Sequence, residues 1–438
     1  MRIGMAQINS TVGDLEGNAK KIEEFIVMAK KEHVDLVAFP ELAITGYPPQ
    51  DLVLDREFVN RNKELLDSLI SRNTEMAAIV GFVDSQGEQL RNSACVFVGN
   101  KRIGTADKTL LPTYDVFDED RYFEPAKGED IRPISVNLGG QHLKLGVEIC
   151  EDLWDDGYET KVTDELARRG ASVIVNISAS PFYAGKVSER IGQLSKKSRA
   201  NGVPIFYVNL VGGQDELVFD GQSLATDRAG HLIAAGKQFE EDLVTIDIDV
   251  QKGTAEEIGP PAYRREKEVF DALVLGIRDY YWKTGFKRAI VGLSGGIDSS
   301  LSACIAVEAL GKENVIGVSM PSVFSSDHSG TDAEELADNL GIFLVKFGIQ
   351  RILDSYRETL REPLEEVRRH FATNMEQDDP VADENIQPRV RGNCLMDISN
   401  RLRGLRILML NTGNKTELAL GYCTLYGDMA GGIGALGD

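Results

Sequence analysis

Three side chains in the first 150 residues could together open an amide bond. Cys150 closes the run Gly146-Val147-Glu148-Ile149-Cys150-Glu151-Asp152. A thiol attacks a carbonyl carbon as its thiolate, so a base must take its proton. Glu41, in Phe39-Pro40-Glu41-Leu42, can take that proton, return it to departing ammonia and then activate water against the thioester. Lys108, in Ala106-Asp107-Lys108-Thr109-Leu110-Leu111-Pro112, can supply positive charge to the thiolate and to the tetrahedral oxyanion. Each of the three stands at or near the end of a strand-like run, where loops gather active sites. Taken singly, each has a plainer reading: a strand-end cysteine is a small buried hydrophobe, and a lone Glu or Lys is a surface charge. Their joint occurrence, in order, carries the inference. Cys95, Cys304, Cys394 and Cys423 keep the plain reading. The five histidines show neither metal spacing nor a pairing with Cys150, which disfavours a Cys–His mechanism.

A second constellation lies in Ala289-Ile290-Val291-Gly292-Leu293-Ser294-Gly295-Gly296-Ile297-Asp298-Ser299-Ser300. An apolar strand runs into a Ser-Gly-Gly loop and then a helix. Gly295 and Gly296 let backbone N–H groups approach a phosphate, Ser294, Ser299 and Ser300 add hydroxyls, and the helix N-terminus faces the anion. No lysine follows the glycines, so this is not a Walker loop. Asp298 stands where a carboxylate could hold magnesium on phosphates. The plain reading is a tight strand-to-helix turn capped by serine.

The elements that must position these groups follow from the apolar pattern. Strands are expected at 36–39, 77–83, 93–98, 145–150, 173–177, 206–211 and 243–248, with helical stretches around 22–29 and 162–169. Such alternation implies a layered α/β domain over 1–250. Residues 251–268, QKGTAEEIGPPAYRREKE, combine Gly, paired Pro and dense charge and read as a linker. From 269 to 438 a βαβα order returns: strands at 289–293, 315–320, 343–347 and 405–410, helices at 299–310, 331–340, 350–372 and 385–403. That order implies a doubly wound parallel sheet with its ligand at the carboxyl ends of the strands.

Composition bounds the function. The 438 residues carry 48 Lys+Arg against 69 Asp+Glu, a net charge of -21, which disfavours nonspecific binding to nucleic acid or an anionic membrane. No apolar run approaches the roughly 18 residues of a membrane span, and the N-terminus MRIGMAQINS has no secretory character. Five cysteines without a CxxC pair argue against disulfides and structural zinc and for a reducing, cytoplasmic setting.

The Ser-Gly-Gly string resembles the SGGxDS pyrophosphate loop of the ATP pyrophosphatase family. Those enzymes adenylate a carbonyl oxygen, release pyrophosphate and let a nitrogen or sulfur nucleophile displace AMP. Together with Asn385-Ile386-Gln387-Pro388-Arg389-Val390-Arg391, Thr412-Gly413-Asn414-Lys415-Thr416-Glu417 and the segment GYCTLYGDMAGG from Gly421, it is similar to the NAD synthetases. The resemblance implies ATP at Gly292, Leu293, Ser294, Gly295, Gly296, Ile297, Asp298, Ser299, Ser300 and Thr412. It implies deamido-NAD at Arg389 and Glu417, and Mg2+ at Asp298 and Glu417. The segment from Met320-Pro321-Ser322 to Ser326-Asp327-His328 resembles a mobile loop closing over the nucleotide. The Glu–Lys–Cys set, within FPELAITGYPP and GVEICEDLW, resembles the glutaminase branch of the nitrilase superfamily. That implies a four-layer α-β-β-α sandwich, with Tyr114, Ser180 and Lys186 lining a glutamine pocket and Glu151 recognising the amine.

The resemblance thus implies a glutamine-dependent NAD synthetase fold and activity. Cys150 would release ammonia from glutamine, and an internal passage would carry it to the second site. There ATP would activate the deamido-NAD carboxylate for amidation, giving NAD, AMP and pyrophosphate. It also implies a homo-oligomer. Three other readings stay open: a glutamine amidohydrolase with an inactive second half, a nonenzymatic nucleotide-binding or assembly module, and an SGGxDS enzyme amidating another carboxylate. The sequence stops at GGIGALGD, a Gly-rich loop in which Asp438 would stand beside a site. A further C-terminal part of roughly a hundred residues, opening on Pro-Lys-Thr and carrying a substrate-binding lysine, is therefore expected.

Overall fold

The computed structural model describes residues 1–438 except 74, 263, 326, 372–379 and 438. Ser326 of the expected mobile loop, position 372 of an expected helix and Asp438 therefore lie outside the described residues. The chain divides into two compact units, Met1–Ala272 and Leu273–Asp438.

In the first unit Arg2–Gln7 (β1), Leu36–Ala38 (β2), Ala77–Gln86 (β3), Gln89–Val98 (β4) and Lys101–Asp107 (β5) belong to one sheet. A second sheet uses Ile134–Leu138 (β6), Gln141–Ile149 (β7), Val173–Ser178 (β8) and Ile205–Asn209 (β9). Val211–Gln214 (β10) and Leu217–Asp220 (β11) form a separate ribbon. Leu224–Thr226 (β12) and Leu232–Ala235 (β13) extend the second sheet, and Asp242–Asp247 (β14) closes the first beside β1. The orders are β14-β1-β2-β3-β4-β5 and β13-β12-β9-β8-β7-β6.

Strand periodicity explains why these sheets stack. Ile3 and Met5, Leu36 and Ala38, Ala77 and Ile79, and Ala94 and Val96 face Leu145, Val147, Ile149, Val175, Ile177 and Phe206 across the sandwich interior. Residues of opposite parity, Val37, Val80, Phe82, Cys95 and Phe97, turn to the other face. There Ile22, Phe25 and Ile26 of the helix Leu15–Lys31 (α1), with Leu65, Leu66 and Leu69 of Arg56–Arg72 (α2), cover them. On the far side Ile174, Ile205 and Tyr207 pack on Leu166 of Val162–Arg168 (α3) and Leu194 of Lys186–Asn201 (α4). The result is the expected α-β-β-α sandwich. Because both strand faces are buried, runs such as AAIVGFV are continuously apolar.

The helix Arg265–Lys283 (α5) spans the division between the units. It begins inside the expected 251–268 linker, so residues 265–268 form its first turn. In the second unit Arg288–Gly292 (β15) leads into Ile297–Leu310 (α6) and Val315–Ser319 (β16), then Asp327–Leu340 (α7) and Phe343–Lys346 (β17). Gln350–Phe371 (α8), Pro380–Arg401 (α9), Ile407–Asn414 (β18), Lys415–Leu420 (α10) and Ile433–Leu436 (β19) follow. All pairings are parallel in the order β17-β16-β15-β18-β19, a doubly wound sheet. Ile290 packs with Leu353 of α8 and with Val390 and Leu395 of α9.

Helices α6 and α7 begin earlier than their apolar spacing indicated. The strand expected at 405–410 is displaced to 407–414 because Arg403–Leu405 forms a 3-10 turn and Arg406 adopts φ 53. Among the described residues no helix is long and apolar enough to cross a membrane.

Candidate active sites

Four polar residues converge in the first unit, three of them at the carboxyl ends of strands. Cys150 follows β7 directly and opens the 3-10 turn Cys150–Leu153 with φ 44, a left-handed conformation that turns the thiol out of the strand line. Such a conformation costs a non-glycine residue about 1–3 kcal/mol and is held by surrounding structure. Lys108 follows β5 directly, its N–H bonded to the Asn92 carbonyl of β4 at 2.8 Å. Glu41 follows β2, in a loop lying against Gly81 of β3. A Cβ there would stand 2.4 Å from the Pro40 carbonyl oxygen, so glycine permits this close approach. The fourth residue, Glu119, opens a 3-10 turn between the sheets' strands and was not anticipated.

The four side chains are buried, with Glu41 and Lys108 no more than 1% exposed. The Lys108 ammonium donates to Glu41 Oε1 at 2.7 Å and to Glu119 Oε1 and Oε2 at 2.8 Å each. Glu41 Oε1 also accepts from Asn92 Nδ2 at 2.7 Å, and its Oε2 from the Ala179 N–H at 3.0 Å. Tyr47 Oη donates to Glu119 Oε1 at 2.8 Å.

Burial alone would lower the pKa of Lys108, but Glu119 and Glu41 outweigh it and hold the ammonium well above its usual range. Burial raises the Glu119 carboxyl against the pull of Lys108, with Glu41 adding to the rise. The Cys150 thiol is pushed well above its ordinary value, first by burial and then by Glu41, against Lys108. The resting sulfur is therefore a protonated thiol, and nucleophilic attack requires an adjacent base. Lys108 has three donors and three carboxylate oxygens on them, so it acts on the sulfur through its charge.

The expected glutamine-pocket residues surround this centre. Glu151 accepts from Tyr114 Oη at 3.1 and 3.0 Å and from Tyr158 Oη at 3.0 Å. Lys186, the first residue of α4, stacks its ammonium 4.4 Å from the Trp154 ring centroid and 4.7 Å from that of Tyr183. Burial, then Arg190, lowers its pKa, and Cys150 is among the groups within electrostatic reach. Ser180 is buried, its carbonyl accepting from Arg190 Nη2 at 3.0 Å. Arg190 in turn donates Nη1 to both oxygens of buried Asp220 at 2.7 Å. Cys95 fits the plain reading: it lies in the α1/α2 core and burial raises it to about 11. All five cysteines are free.

The second unit offers an open cavity of about 460 Å³ at the switch point between β15 and β18. Gly292, Leu293, Ser294, Ser319, Met320, Pro321, Arg391, Asn411, Thr412 and Asp428 are among its lining residues. The Ser-Gly-Gly motif forms a strand-to-helix turn in which Gly295 has φ 78 and Gly296, rather than a serine, caps α6. Ser294 Oγ accepts the Gly296 N–H at 3.2 Å, and the hydroxyls of Ser299 and Ser300 donate to the Gly296 carbonyl at 3.0 and 2.9 Å. Ile297 and Asp298 occupy the first turn of the helix, Ile297 being 78% exposed.

Thr412 lies in the last part of β18, not beyond it. Glu417 caps α10: its Oε2 accepts the Asn414 N–H at 3.0 Å, while Asn414 Oδ1 accepts the Glu417 N–H at 2.9 Å. Arg389 donates Nε to the Leu425 carbonyl at 3.1 Å and is not among the cavity's lining residues. Arg391 is, with Nε on the Met320 carbonyl at 3.2 Å and no carboxylate partner among the described residues. Among the described residues no three His, Cys, Asp or Glu side chains form a metal-binding group. Mg2+ bound with nucleotide phosphates needs only one or two carboxylates, and Asp298 beside the loop suits that mode.

A buried Cys–Glu–Lys–Glu centre on an α-β-β-α sandwich, joined to a doubly wound sheet with a Ser-Gly-Gly loop, defines the class. Residues 2–255 match the carbon-nitrogen hydrolase family and residues 269–438 match NAD synthase. The glutamine-dependent NAD(+) synthetase of Thermotoga maritima is 41% identical over all of this chain and 78% of its own length. That of Synechocystis is 43% identical with the same coverage. The solved glutamine-dependent NAD+ synthetase of Acinetobacter baumannii, in complex with ADP, superposes with a TM-score of 0.89 at 36% identity, over 100% of this chain and 79% of that one. The chain belongs to the glutamine-dependent NAD(+) synthetase family.

Proposed function

We propose that this chain hydrolyses glutamine at Cys150 and uses the ammonia to amidate deamido-NAD with ATP. The observation that carries the reading is the buried thiol among Glu41, Lys108 and Glu119, in a chain whose other unit opens a cavity lined by Gly292, Leu293 and Ser294, where the Ser-Gly-Gly loop begins, and by Thr412. Glutamine binds with its α-ammonium on Glu151, supported by Tyr114 and Tyr158, and with Ser180 and Lys186 completing the pocket. Glu41 takes the Cys150 proton as sulfur attacks the side-chain carbonyl carbon. The carbon–nitrogen bond breaks, and Glu41 returns the proton to leaving ammonia. Water, deprotonated by Glu41, then cleaves the glutamyl thioester to free glutamate and the thiol. Lys108 stays an ammonium throughout and stabilises the anionic sulfur and oxyanion electrostatically.

In the second unit the loop from Gly292 to Ser300, with Thr412, holds ATP, and Asp298 and Glu417 would hold Mg2+, which supplies charge neutralisation on the phosphates. Arg389 and Glu417 contact deamido-NAD. The nicotinate carboxylate oxygen attacks the α-phosphorus and pyrophosphate leaves. Ammonia then displaces AMP from the acyl-adenylate, giving NAD. Ammonia is protonated in neutral water, which favours delivery through an internal passage. The reading places the enzyme in the cytoplasm as a homo-oligomer.

The test compares NAD formation from glutamine and from ammonium in the parent and in Cys150→Ala. Glutamine-driven synthesis should vanish and ammonium-driven synthesis persist. Retained glutamine use would refute the assigned nucleophile.

A further inference from the structure

Cys150 and Lys108 stand on different sheets. Cys150 ends β7 of the second sheet and Lys108 ends β5 of the first. Ladder hydrogen bonds fix residues within a sheet, whereas the sheets meet through apolar side chains such as Ile79, Val96, Val147 and Ile149. That contact is strong but non-directional and does not by itself set the offset of one strand end against another. Catalysis needs that offset held to a fraction of an ångström.

One side chain supplies a directional link between the Cys150 turn and the Lys108 segment. Asp152, 1% exposed, accepts the Ile149 N–H on Oδ2 at 3.0 Å, immediately before Cys150. Its Oδ1 accepts the N–H groups of Thr109 at 3.1 Å and Leu110 at 2.9 Å, immediately after Lys108. One carboxylate thus holds the nucleophile's turn with one oxygen and the lysine's segment with the other. Both sets are charge-assisted bonds shielded from water. All three of these bonds are accepted from backbone N–H groups and none from the side chains of Glu41, Lys108, Glu119 or Cys150. Glu41 makes a comparable link, from β2 of the first sheet to the Ala179 N–H just after β8 of the second. Glu41, however, is itself a reacting group.

We infer that Asp152 is a positioning residue for glutamine hydrolysis, its carboxylate fixing the Cys150 turn against the Lys108 segment across the two sheets. The inference rests on Cys150 and Lys108 being the reacting centre. Burial raises the Asp152 carboxyl to about 7, opposed first by the Ile149 and Leu110 N–H groups, so its carboxylate form depends on those donors.

The test is steady-state glutamine hydrolysis by the full chain carrying Asp152→Ala or Asp152→Asn, with thermal unfolding and the rate of iodoacetamide alkylation at Cys150. Asp152→Ala should lower kcat by about 100-fold, the scale of an ångström misplacement, with KM within about threefold. In Asp152→Asn the amide oxygen keeps one set of bonds and its NH2 cannot accept the other. Its kcat should therefore fall by an intermediate amount, about tenfold. Alkylation should slow in the same order.

Three results would each overturn the inference: kcat within about twofold of the parent in Asp152→Ala, a KM rise accounting for the whole loss, or equal losses in both variants accompanied by loss of the cooperative thermal transition. Cys150→Ala serves as the separate control. If it still hydrolyses glutamine, the site assignment itself fails. If it is inactive while Asp152→Ala works normally, only the positioning role fails.

Discussion

The two sites of this chain are built in opposite ways. Around Cys150 the charged groups are paired before any substrate arrives: Lys108 on two carboxylates, Arg190 on Asp220, Asp152 on three N–H groups, all away from water. Around the Ser-Gly-Gly loop the cavity is wide, Ser294 is exposed, and Arg391 has no carboxylate partner among the described residues. The difference follows from the substrates. Glutamine's reacting amide is small and neutral, so the protein must supply every charge, and it must be desolvated and pre-aligned. A nucleotide brings its own phosphates, so donors left unpaired in the protein are the complement of what will bind. The contrast can be broken at four points.

Glu41→Gln should give the largest effect, since the protonated Cys150 thiol loses its base: glutamine hydrolysis should fall roughly 1,000-fold, while ammonium-driven NAD formation is retained. Steady-state assays of both reactions check this. Glu119→Ala tests the pre-paired design itself. Lys108 would be left buried with a single carboxylate, and denaturant unfolding should show the first unit destabilised by about 3–5 kcal/mol. Unchanged stability would mean that water fills the gap and that the pairing is not tight. In the open site, Ser294→Ala should raise the KM for ATP by about tenfold, the loss of one hydrogen bond to a charged ligand, and move stability by less than about 0.5 kcal/mol. A large stability change there would erase the distinction between the sites.

The fourth point concerns pH. Glu148, two residues before Cys150, is raised to about 8 by burial, with Asp152 adding to the rise and Thr163 and Asn176 opposing it. The folded state therefore keeps a proton on it that the unfolded chain loses near 4.5. Its contribution to stability is complete below about 4.5 and disappears as pH climbs through about 8. Unfolding free energy measured from pH 5 to 8 should slope downward, and Glu148→Gln should flatten that slope by up to about 1.4 kcal/mol per pH unit.

Much of the first site was legible because its residues break a local pattern. Glu41 and Cys150 are polar groups just after apolar strand ends, where a strand passes into a loop, whereas Lys108 follows the polar strand KRIGTAD and stands out only beside the apolar Leu110 and Leu111. Glu119 broke no pattern. It sits between Asp118 and Asp120, both exposed, and a charge run of that kind reads as solvated; only the tertiary fold turns the middle residue inward onto Lys108. Arg190 and Asp220 are hidden for the same reason, since their pairing joins a helix to a distant ribbon strand. Asp152 was visible as a member of the Cys150 run, but two of its three partners, Thr109 and Leu110, follow a strand of the other sheet.

In the second unit the Gly-Gly turn was legible from backbone chemistry alone, as Gly295 needs its positive φ. The division of labour between Arg389 and Arg391 was not, because two residues of helix separate a cavity wall from an outer face. The strand ending at Asn414 was placed too early because Arg403–Leu405 interrupts the apolar run with a turn.

The central claim is that nitrogen freed at Cys150 is the nitrogen built into NAD. The direct measurement supplies glutamine labelled with 15N in its side-chain amide together with an excess of unlabelled ammonium, and reads the isotope in the carboxamide of the NAD formed. The parent chain should place 15N in the product well above its share of free ammonia, and Cys150→Ala should yield only the unlabelled carboxamide. Labelled NAD from the Cys150→Ala chain, or a parent product matching the free ammonia pool, would contradict the account.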